Sequence, residues 1–365
     1  MGKNTTLGIT YMMSLGRELP TAIDTNFSSA ATGYGTFAVT AAAGSSTTPN
    51  NPYPVSPNSE APTSLTNYPL APQTGAYTVL PHGGKTPPVF PTGFQEKFFL
   101  NGSRPNAAYY QLLQVQSSVN SSYNALAFQV DHRYQHGLSV LTNITWSHGL
   151  DENPYESTVV PSYNLSDPTN PHADYGNSAT DVRLRYVGAV VYEPQTHFHG
   201  IEQQVLGGWR IAPLVQAQTG QPYSATISSS SFKSVTLSNG TTGTLAGTGI
   251  NGAGSGATRV PWLERNSYNN PKTAVVDLRL GKNFYLPKIA GFEGMRLEFF
   301  AEVFNVMNHQ NITGVTSEAY TLGDAKGTAI AQTLTPYSGF GTYTSSNSNY
   351  TYSPRQVQIA ARLHF

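Results

Sequence analysis

The chain contains no cysteine, which excludes a disulfide framework and thiol chemistry. It also has little charge: Asp, Glu, Lys and Arg make up only 11% of its 365 residues, well below the roughly one quarter that is usual in soluble domains. The 20 basic and 20 acidic residues cancel, so no excess of one sign favours a nucleic acid as partner. No apolar run approaches the roughly 18 residues of a membrane-spanning helix, so the sequence predicts none.

The start of the chain, Met1–Thr10, lacks the apolar core of a signal peptide. A protein of the bacterial outer membrane, the class that the strand pattern of this sequence predicts, needs an export signal. We therefore expect the sequence to be the C-terminal part of a longer chain.

Polar uncharged residues take the place of the missing charge. Mean hydropathy is −0.30, and the chain holds 34 glycines and 22 tyrosines. A β-barrel in the outer membrane has this composition, because half of each strand faces lipid, the other half faces water, and the loops are polar.

The last eleven residues, 355–365, alternate strictly between two faces. Val357, Ile359, Ala361, Leu363 and Phe365 share the apolar face, and Gln356, Gln358, Ala360, Arg362 and His364 lie on the other. A tilted strand of about 9–11 residues is long enough to cross a bilayer. The apolar series with its terminal Phe365 resembles the C-terminal signal that directs barrel assembly. An edge strand of a soluble β-protein is the alternative.

The same periodicity predicts an all-β protein, an antiparallel transmembrane β-barrel with about ten strands. The predicted strands are 5–15, 95–100, 109–117, 123–134, 138–148, 180–192, 207–219, 273–284, 295–306 and 355–365. Long loops are predicted at about 17–93, 149–179, 220–271 and 307–354. Twelve prolines from Pro20 to Pro91 mark the first of them as loop, because proline cannot sit in a central strand.

If the strands alternate in direction, all four long loops lie on one side and the short turns on the other. Only a tight link near 118–121 falls on the long-loop side. Short periplasmic turns and long extracellular loops are typical of bacterial outer-membrane barrels.

Motifs in residues 100–365 resemble the C-terminal barrel region of Oar-like TonB-dependent outer-membrane receptors. Their order and spacing carry the resemblance, and they are Asn120–Leu126, His136–Leu138, Thr145–Asp151, Asp174–Ser178 with Asp181–Arg185, Gly207–Trp209, Gln218–Tyr223, Val276–Leu280, Glu298–Asn311 and the terminal Pro354–Phe365.

The resemblance implies a barrel of about 22 strands, a plug domain in its lumen and transport driven by the TonB complex. This sequence departs from that plan: it shows no plug, no TonB-contacting box and about half the strands. We therefore expect the barrel portion of a receptor for uptake of an unidentified small-molecule, carbohydrate or peptide ligand. A self-closed passive pore or surface adhesin is the alternative, and a secreted soluble β-rich binding protein is the third reading.

Mixed charges on the polar faces of the strands are the candidate site residues. They are Asp131, Arg133, Asp181, Arg183, Arg185, Asp277, Arg279, Arg296, Glu298 and Glu302. Either they line a polar lumen and contact a plug or substrate, or they only pair with one another across strands. We expect no catalytic group and no cofactor. The expected partners are outer-membrane lipid, the barrel assembly machinery and, through a plug absent here, the TonB complex.

Two weaker signals concern metals and aromatic residues. His197 and His199 form a possible metal pair without a third ligand at suitable spacing, so a solvated turn is favoured. Asp151, Glu152 and Asp167 are candidate Ca²⁺ ligands, although their spacing is not that of an EF-hand.

The second signal is a predicted aromatic girdle at the membrane interface, with ordinary packing as the alternative. Its residues are Trp146, Tyr186, Tyr192, Trp209 and Phe284.

Overall fold

A computed structural model describes most of the chain. The described residues are 4–27, 32–39, 93–109, 111–152, 165–228, 234–247, 249–253, 258–260, 263–286, 295–322, 333–337, 340–346 and 353–364. The terminal Phe365 lies outside them, as do most of the predicted loop 17–93 and parts of the other three.

Strands account for most of the ordered elements. In chain order they are β1 Thr5–Asp24, β2 Thr32–Val39, β3 Gly93–Phe99, β4 Leu113–Gln135, β5 Leu138–Asp151, β6 Gly176–Asn177, β7 Leu184–Tyr192, β8 Trp209–Gln218, β9 Pro222–Tyr223, β10 Thr226–Ser228, β11 Ser234–Thr236, β12 Thr242–Thr244, β13 Tyr268–Asn269, β14 Thr273–Tyr285, β15 Arg296–Phe304, β16 Ile312–Val315, β17 Glu318–Leu322, β18 Thr333–Pro336, β19 Tyr343–Ser346 and β20 Gln356–His364. One α-helix, α1 Gly200–Leu206, and two single 3-10 turns, Asn101–Ser103 and Pro171–Asp174, complete the described elements.

Eight strands form the main sheet in the order β1-β4-β5-β7-β8-β14-β15-β20, with the short β6 added beside β5. Every neighbouring pair is antiparallel and follows chain order. The predicted antiparallel all-β fold is thus confirmed. Among the described residues, no helix is long and apolar enough to span a membrane.

The main sheet has two strands fewer than the ten expected. Residues 95–100 do form a strand, but this strand, β3, pairs with β2 outside the main sheet. Residues 109–117 are not separate from 123–134, because β4 runs unbroken from Leu113 to Gln135. Alternation alone cannot reveal this, since it is the same in a loop hairpin and in a membrane strand.

The first strand is longer than expected and contains Pro20. Register shifts at Leu19 on both sides mark an irregularity just before this proline, and β1 pairs only with β4 among the described strands. An edge position next to a bulge is where a strand tolerates proline. Beyond it the side chain of Asp24 is fully buried and lies 3.3 Å from Arg104, so tertiary contacts stabilise the extension.

The long connections all leave the same end of the main sheet. Because neighbouring strands alternate in direction, the segments 25–112, 152–183, 219–272 and 305–355 share one end. The turns 136–137, 193–208 and 286–295 share the other. The exception near 118–121 disappears, because those residues belong to β4.

The long connections fold into a layer of their own. A second sheet, β10-β17-β18-β2-β3, draws strands from three of the four connections and includes two parallel pairs. Its core contains fully buried Phe98, Val260, Ala319, Tyr320 and Leu334. We call this second sheet, its core and the segments packed on it the loop layer.

Candidate functional site

Large apolar side chains on one face of the main sheet point outward. Ile9, Phe128, Ile144 and Tyr186 are direct neighbours across β1, β4, β5 and β7, and each remains between 37% and 74% exposed. At the opposite edge, Ile359 on β20 is 77% exposed on this same face. A soluble sheet buries such rows of large apolar side chains, whereas the lipid-facing surface of a barrel exposes them.

The other face of the sheet carries most of the candidate charges, interspersed with apolar side chains. The register links Asp131 to Leu141, Ala189, Leu214 and finally Asp277 in one row that crosses five strands. The register places seven of the ten candidate charges on this face, and they are Asp131, Arg185, Asp277, Arg279, Arg296, Glu298 and Glu302. The interpretation that these charges share one face therefore agrees with the strand pairing. Arg133 lies beside a register shift at the end of β4.

Arg279 is the centre of an ionic cluster on the polar face. Its guanidinium lies 3.2 Å from Glu302 and 3.5 Å from Glu298. Glu298 also lies 3.1 Å from the imidazole of His364 on β20, and Arg279 stacks 4.0 Å from the ring of Phe300. These contacts agree with the second alternative for the candidate charges, in which they pair with one another across strands.

Other candidates have different surroundings. Arg183 lies 3.2 Å from Asp181, whose carboxylate accepts a hydrogen bond of 2.8 Å from Gly149 N. Asp277 accepts one of 2.8 Å from Asn305 N. Five candidates form no ion pair with a described residue, and they are Asp131, Arg133, Arg185, Asp277 and Arg296. The ten therefore comprise five ion-paired residues, Asp277 with its hydrogen bond from Asn305, and four charges that are free for other contacts.

A polar cavity of about 370 Å³ opens at the short-turn end of the sheet. Arg296 and Glu298 line it together with Tyr134, Glu193 and Arg210. Glu193 lies 3.1 Å from Arg210 and accepts a hydrogen bond of 3.0 Å from the hydroxyl of Tyr134. The cavity therefore contains the Glu193–Arg210 ion pair and the guanidinium of Arg296, which forms no ion pair with a described residue.

A second network of charged side chains connects the loop layer to the end of the main sheet from which the long connections emerge. Arg265 forms an ion pair with Asp151 at the end of β5 and donates a hydrogen bond of 2.8 Å to the carbonyl of Asp174. Arg259 lies 2.8 Å from the carboxylate of Asp174. Burial raises the pKa of the nearby Glu96 carboxyl to about 7, although a hydrogen bond from Asn251 at 3.4 Å opposes this.

Sequence reasoning missed this network. Glu96, Asp174, Arg259 and Arg265 are spread over three connections, and no spacing along the chain links them. The segment Asp174–Ser178 stood out only through the family resemblance. No signal in a single sequence could have shown that these residues meet.

The carboxylates considered for Ca²⁺ have protein partners. Asp151 pairs with Arg265, Asp167 lies 2.9 Å from Lys97, and Glu152 lies 2.9 Å from His172. The imidazoles of His197 and His199 are exposed. Within the described part of the chain, no three His, Asp or Glu side chains are grouped so as to hold a metal ion.

The aromatic residues expected in a girdle lie on the outward face. Trp146, Tyr186, Tyr192 and Trp209 are 37% to 47% exposed. Phe284 packs edge-on against Phe299, with ring centroids 5.9 Å apart. Tyr192 and Trp209 lie at the short-turn end of their strands, where an interfacial girdle is expected.

The apolar series of the terminal strand lies on the lipid-facing side. Val357, Ile359, Ala361 and Leu363 pair with Val303, Ala301, Phe299 and Leu297 of β15. Val357, Ile359 and Leu363 are between 48% and 77% exposed. Their role in assembly stays a prediction, and so does that of Phe365.

One comparison with known proteins gave a match. A family model described as an outer membrane beta barrel domain covers residues 1–358. No curated protein and no solved structure matches the chain. The matched description agrees with the apolar outward face, the polar inward face and the sorting of long connections to one end.

Proposed function

This chain belongs to the outer membrane beta barrel domain family and resides in the outer membrane of a Gram-negative bacterium, and from that premise we propose that it is the barrel portion of a TonB-dependent receptor. It takes up an unidentified small-molecule, carbohydrate or peptide ligand and carries out no catalysis. Its other partners are lipid and the barrel assembly machinery. The TonB complex acts on it only through a plug domain.

The two edges of the main sheet are the observation that carries this proposal. Among the described residues, β1 and β20 each pair on one side only. Along most of their length their side chains are exposed on both faces, whereas Ala125 and Ala127 on the inner face of β4 are buried. Unpaired backbone groups cost several kcal/mol each in hydrocarbon. Further strands between β20 and β1 would satisfy these edges and give the wide barrel that holds a plug.

The polar face and the loop layer are consistent with a receptor. Asp131, Arg185 and Arg296 offer charges to a plug or ligand, because they form no ion pair among the described residues. The loop layer lies at the end where long extracellular loops are expected. A packed core there gives a ligand a fixed surface rather than a flexible one.

A self-closed barrel is the second candidate, and the number of strands favours it. Eight is an even number, and eight-stranded outer-membrane barrels exist. In that case β1 pairs with β20, and the molecule is a passive pore or a surface adhesin with the loop layer as its binding surface.

Cross-linking separates the two candidates. The chain has no cysteine, so the double variant Ile9→Cys/Ile359→Cys introduces one possible disulfide, which is scanned over neighbouring registers. The receptor proposal expects no cross-link in the full-length gene product and, at most, one in the isolated chain. Efficient cross-linking in the full-length product would overturn the proposal and favour the self-closed barrel.

Uptake gives a second test. The isolated chain in a host that contains TonB is expected to restore no energised uptake, whereas the full-length product restores it. Uptake by the isolated chain would contradict the need for a plug.

A further inference from the structure

The helix α1, in the connection between β7 and β8, exposes large apolar side chains, as the main sheet does on its lipid-facing side. Its two glutamines face the protein, whereas Glu202 is exposed. Gln204 donates to the carbonyl of Tyr285 at 2.6 Å and accepts from Tyr285 N at 3.2 Å. Gln203 accepts a hydrogen bond of 3.2 Å from Thr196. The apolar residues point away, with Ile201 83%, Val205 58% and Leu206 55% exposed.

Two side chains of the lipid-facing surface hold the end of this helix. Trp209 and Lys282 are paired neighbours on β8 and β14, in the row that continues to Phe299. The indole N–H of Trp209 donates to the carbonyl of Val205 at 3.1 Å. The ammonium of Lys282 donates to the carbonyl of Gly207 and lies 5.1 Å from the Trp209 ring centroid. The C-terminal end of α1 is therefore attached on the lipid side of the sheet.

We propose that α1 is an interfacial anchor, with Ile201, Val205 and Leu206 inserted at the boundary between headgroups and acyl chains of the periplasmic leaflet. The occupant of this apolar face is phospholipid, because the face continues the lipid-facing surface through Trp209. Lys282 supports the assignment of depth, since a lysine on a lipid-facing row directs its charge to the membrane surface. A helix that lies in the interface with its apolar side in the acyl region has this arrangement.

The size of the apolar face also favours lipid over a protein. Three side chains on a seven-residue helix fall far short of the roughly 1,000 Å² that a specific protein interface buries. A lipid bilayer needs no such area, because it already surrounds the adjoining strands.

Single labels on the otherwise cysteine-free chain test the anchor. Ile201→Cys and Val205→Cys, each carrying an NBD fluorophore, are compared with Gln195→Cys, an exposed polar position of the same connection. The full chain is assembled into vesicles of phosphatidylethanolamine and phosphatidylglycerol that contain brominated phosphatidylcholine. We expect blue-shifted emission and bromine quenching at 201 and 205 that is several-fold stronger than at 195.

Two results would overturn the proposal. Equal, weak quenching and water-like emission at all three positions would place the helix in the periplasm. Blue-shifted emission that escapes bromine quenching and depends on protein density would assign the face to a second copy. Heat-modifiable migration on gels confirms folding of each variant, and Leu206→Cys gives an independent reading if one of the others fails to assemble.

Discussion

Arg265 and Asp151, 114 residues apart in the chain, form an ion pair at the junction between the loop layer and β5. Arg265 also donates to the backbone carbonyl of Asp151 at 2.9 Å. The two side chains are only 10% and 9% exposed. One guanidinium thus joins the connection after β8 to the end of a barrel strand.

Removal of Arg265 should loosen the loop layer and leave the barrel in place. Arg265→Ala removes the guanidinium that pairs with Asp151 at this buried site, and breaking a buried ion pair costs about 3–5 kcal/mol. Limited proteolysis should show faster cleavage within 219–272, while heat-modifiable migration stays normal. Arg17→Ala, at an exposed arginine, is the control and should change neither. Unchanged proteolysis in Arg265→Ala would contradict the role assigned to the pair.

Glu96 should make the loop layer less stable as pH rises. Its folded pKa of about 7 lies above its ordinary value of 4.5, so the folded layer retains a proton that the unfolded chain releases. Stability is then highest below about pH 4.5, falls as pH rises to about 7 and is level above that. The whole change is about 3 kcal/mol at most.

Hydrogen exchange of the loop layer at pH 5 and pH 8, corrected for the intrinsic exchange rate, measures this effect. Glu96→Gln should flatten the dependence and protect the layer at pH 8, whereas Glu264→Gln, at an exposed site, should preserve it. The assignment is wrong if Glu96→Gln keeps the wild-type slope.

A charge should be tolerated on one face of β5 and not on the other. Ile144→Arg places a guanidinium among apolar neighbours on the lipid-facing side, at a cost of about 2–4 kcal/mol. Asn143→Arg, one residue earlier, points to the polar face and pairs with Gln129 and Val187. We expect reduced membrane assembly for Ile144→Arg alone. Equal yields of the two variants in washed membranes would refute the assigned faces.

Deletion of Phe365 should impair assembly more than its burial energy explains. A buried aromatic side chain contributes about 1.5–3 kcal/mol, which is a modest loss for a barrel. If the residue belongs to an assembly signal, insertion should nearly vanish while the chain is still synthesised. Deletion of the exposed Met307 in the last connection serves as the control. Normal surface display of the chain without Phe365 would remove the signal interpretation.

The local features of the barrel could be predicted because they repeat at short range. The alternation in 123–134 and 138–148 predicts two adjacent strands, and the register of β4 and β5 pairs Leu126 and Phe128 with Trp146 and Ile144. The short connection between them contains Gly137, whose φ of +82° suits a tight turn. Alternation and turn chemistry act between near neighbours, so one sequence is enough to reveal them.

The candidate site could be predicted only in part. The alternation of the strands placed Arg279, Glu298 and Glu302 on one face, and the structure adds that they meet around a single guanidinium. Alternation could not show that Arg296 stays without an ion pair among the described residues, because this depends on how neighbouring strands are aligned.

By itself the sequence determined the class of protein, the two faces of the strands and the end at which the long connections emerge. The two faces follow from the period-2 alternation of side chains, and the end at which the long connections emerge follows because neighbouring antiparallel strands alternate in direction. Neither requires knowledge of distant contacts. Tertiary structure alone decided that 95–100 leaves the barrel, that Pro20 lies within a strand and that Arg265 meets Asp151. Each of these is stabilised by contacts between segments far apart in the chain, and the free energy of such contacts leaves no periodic trace in the sequence.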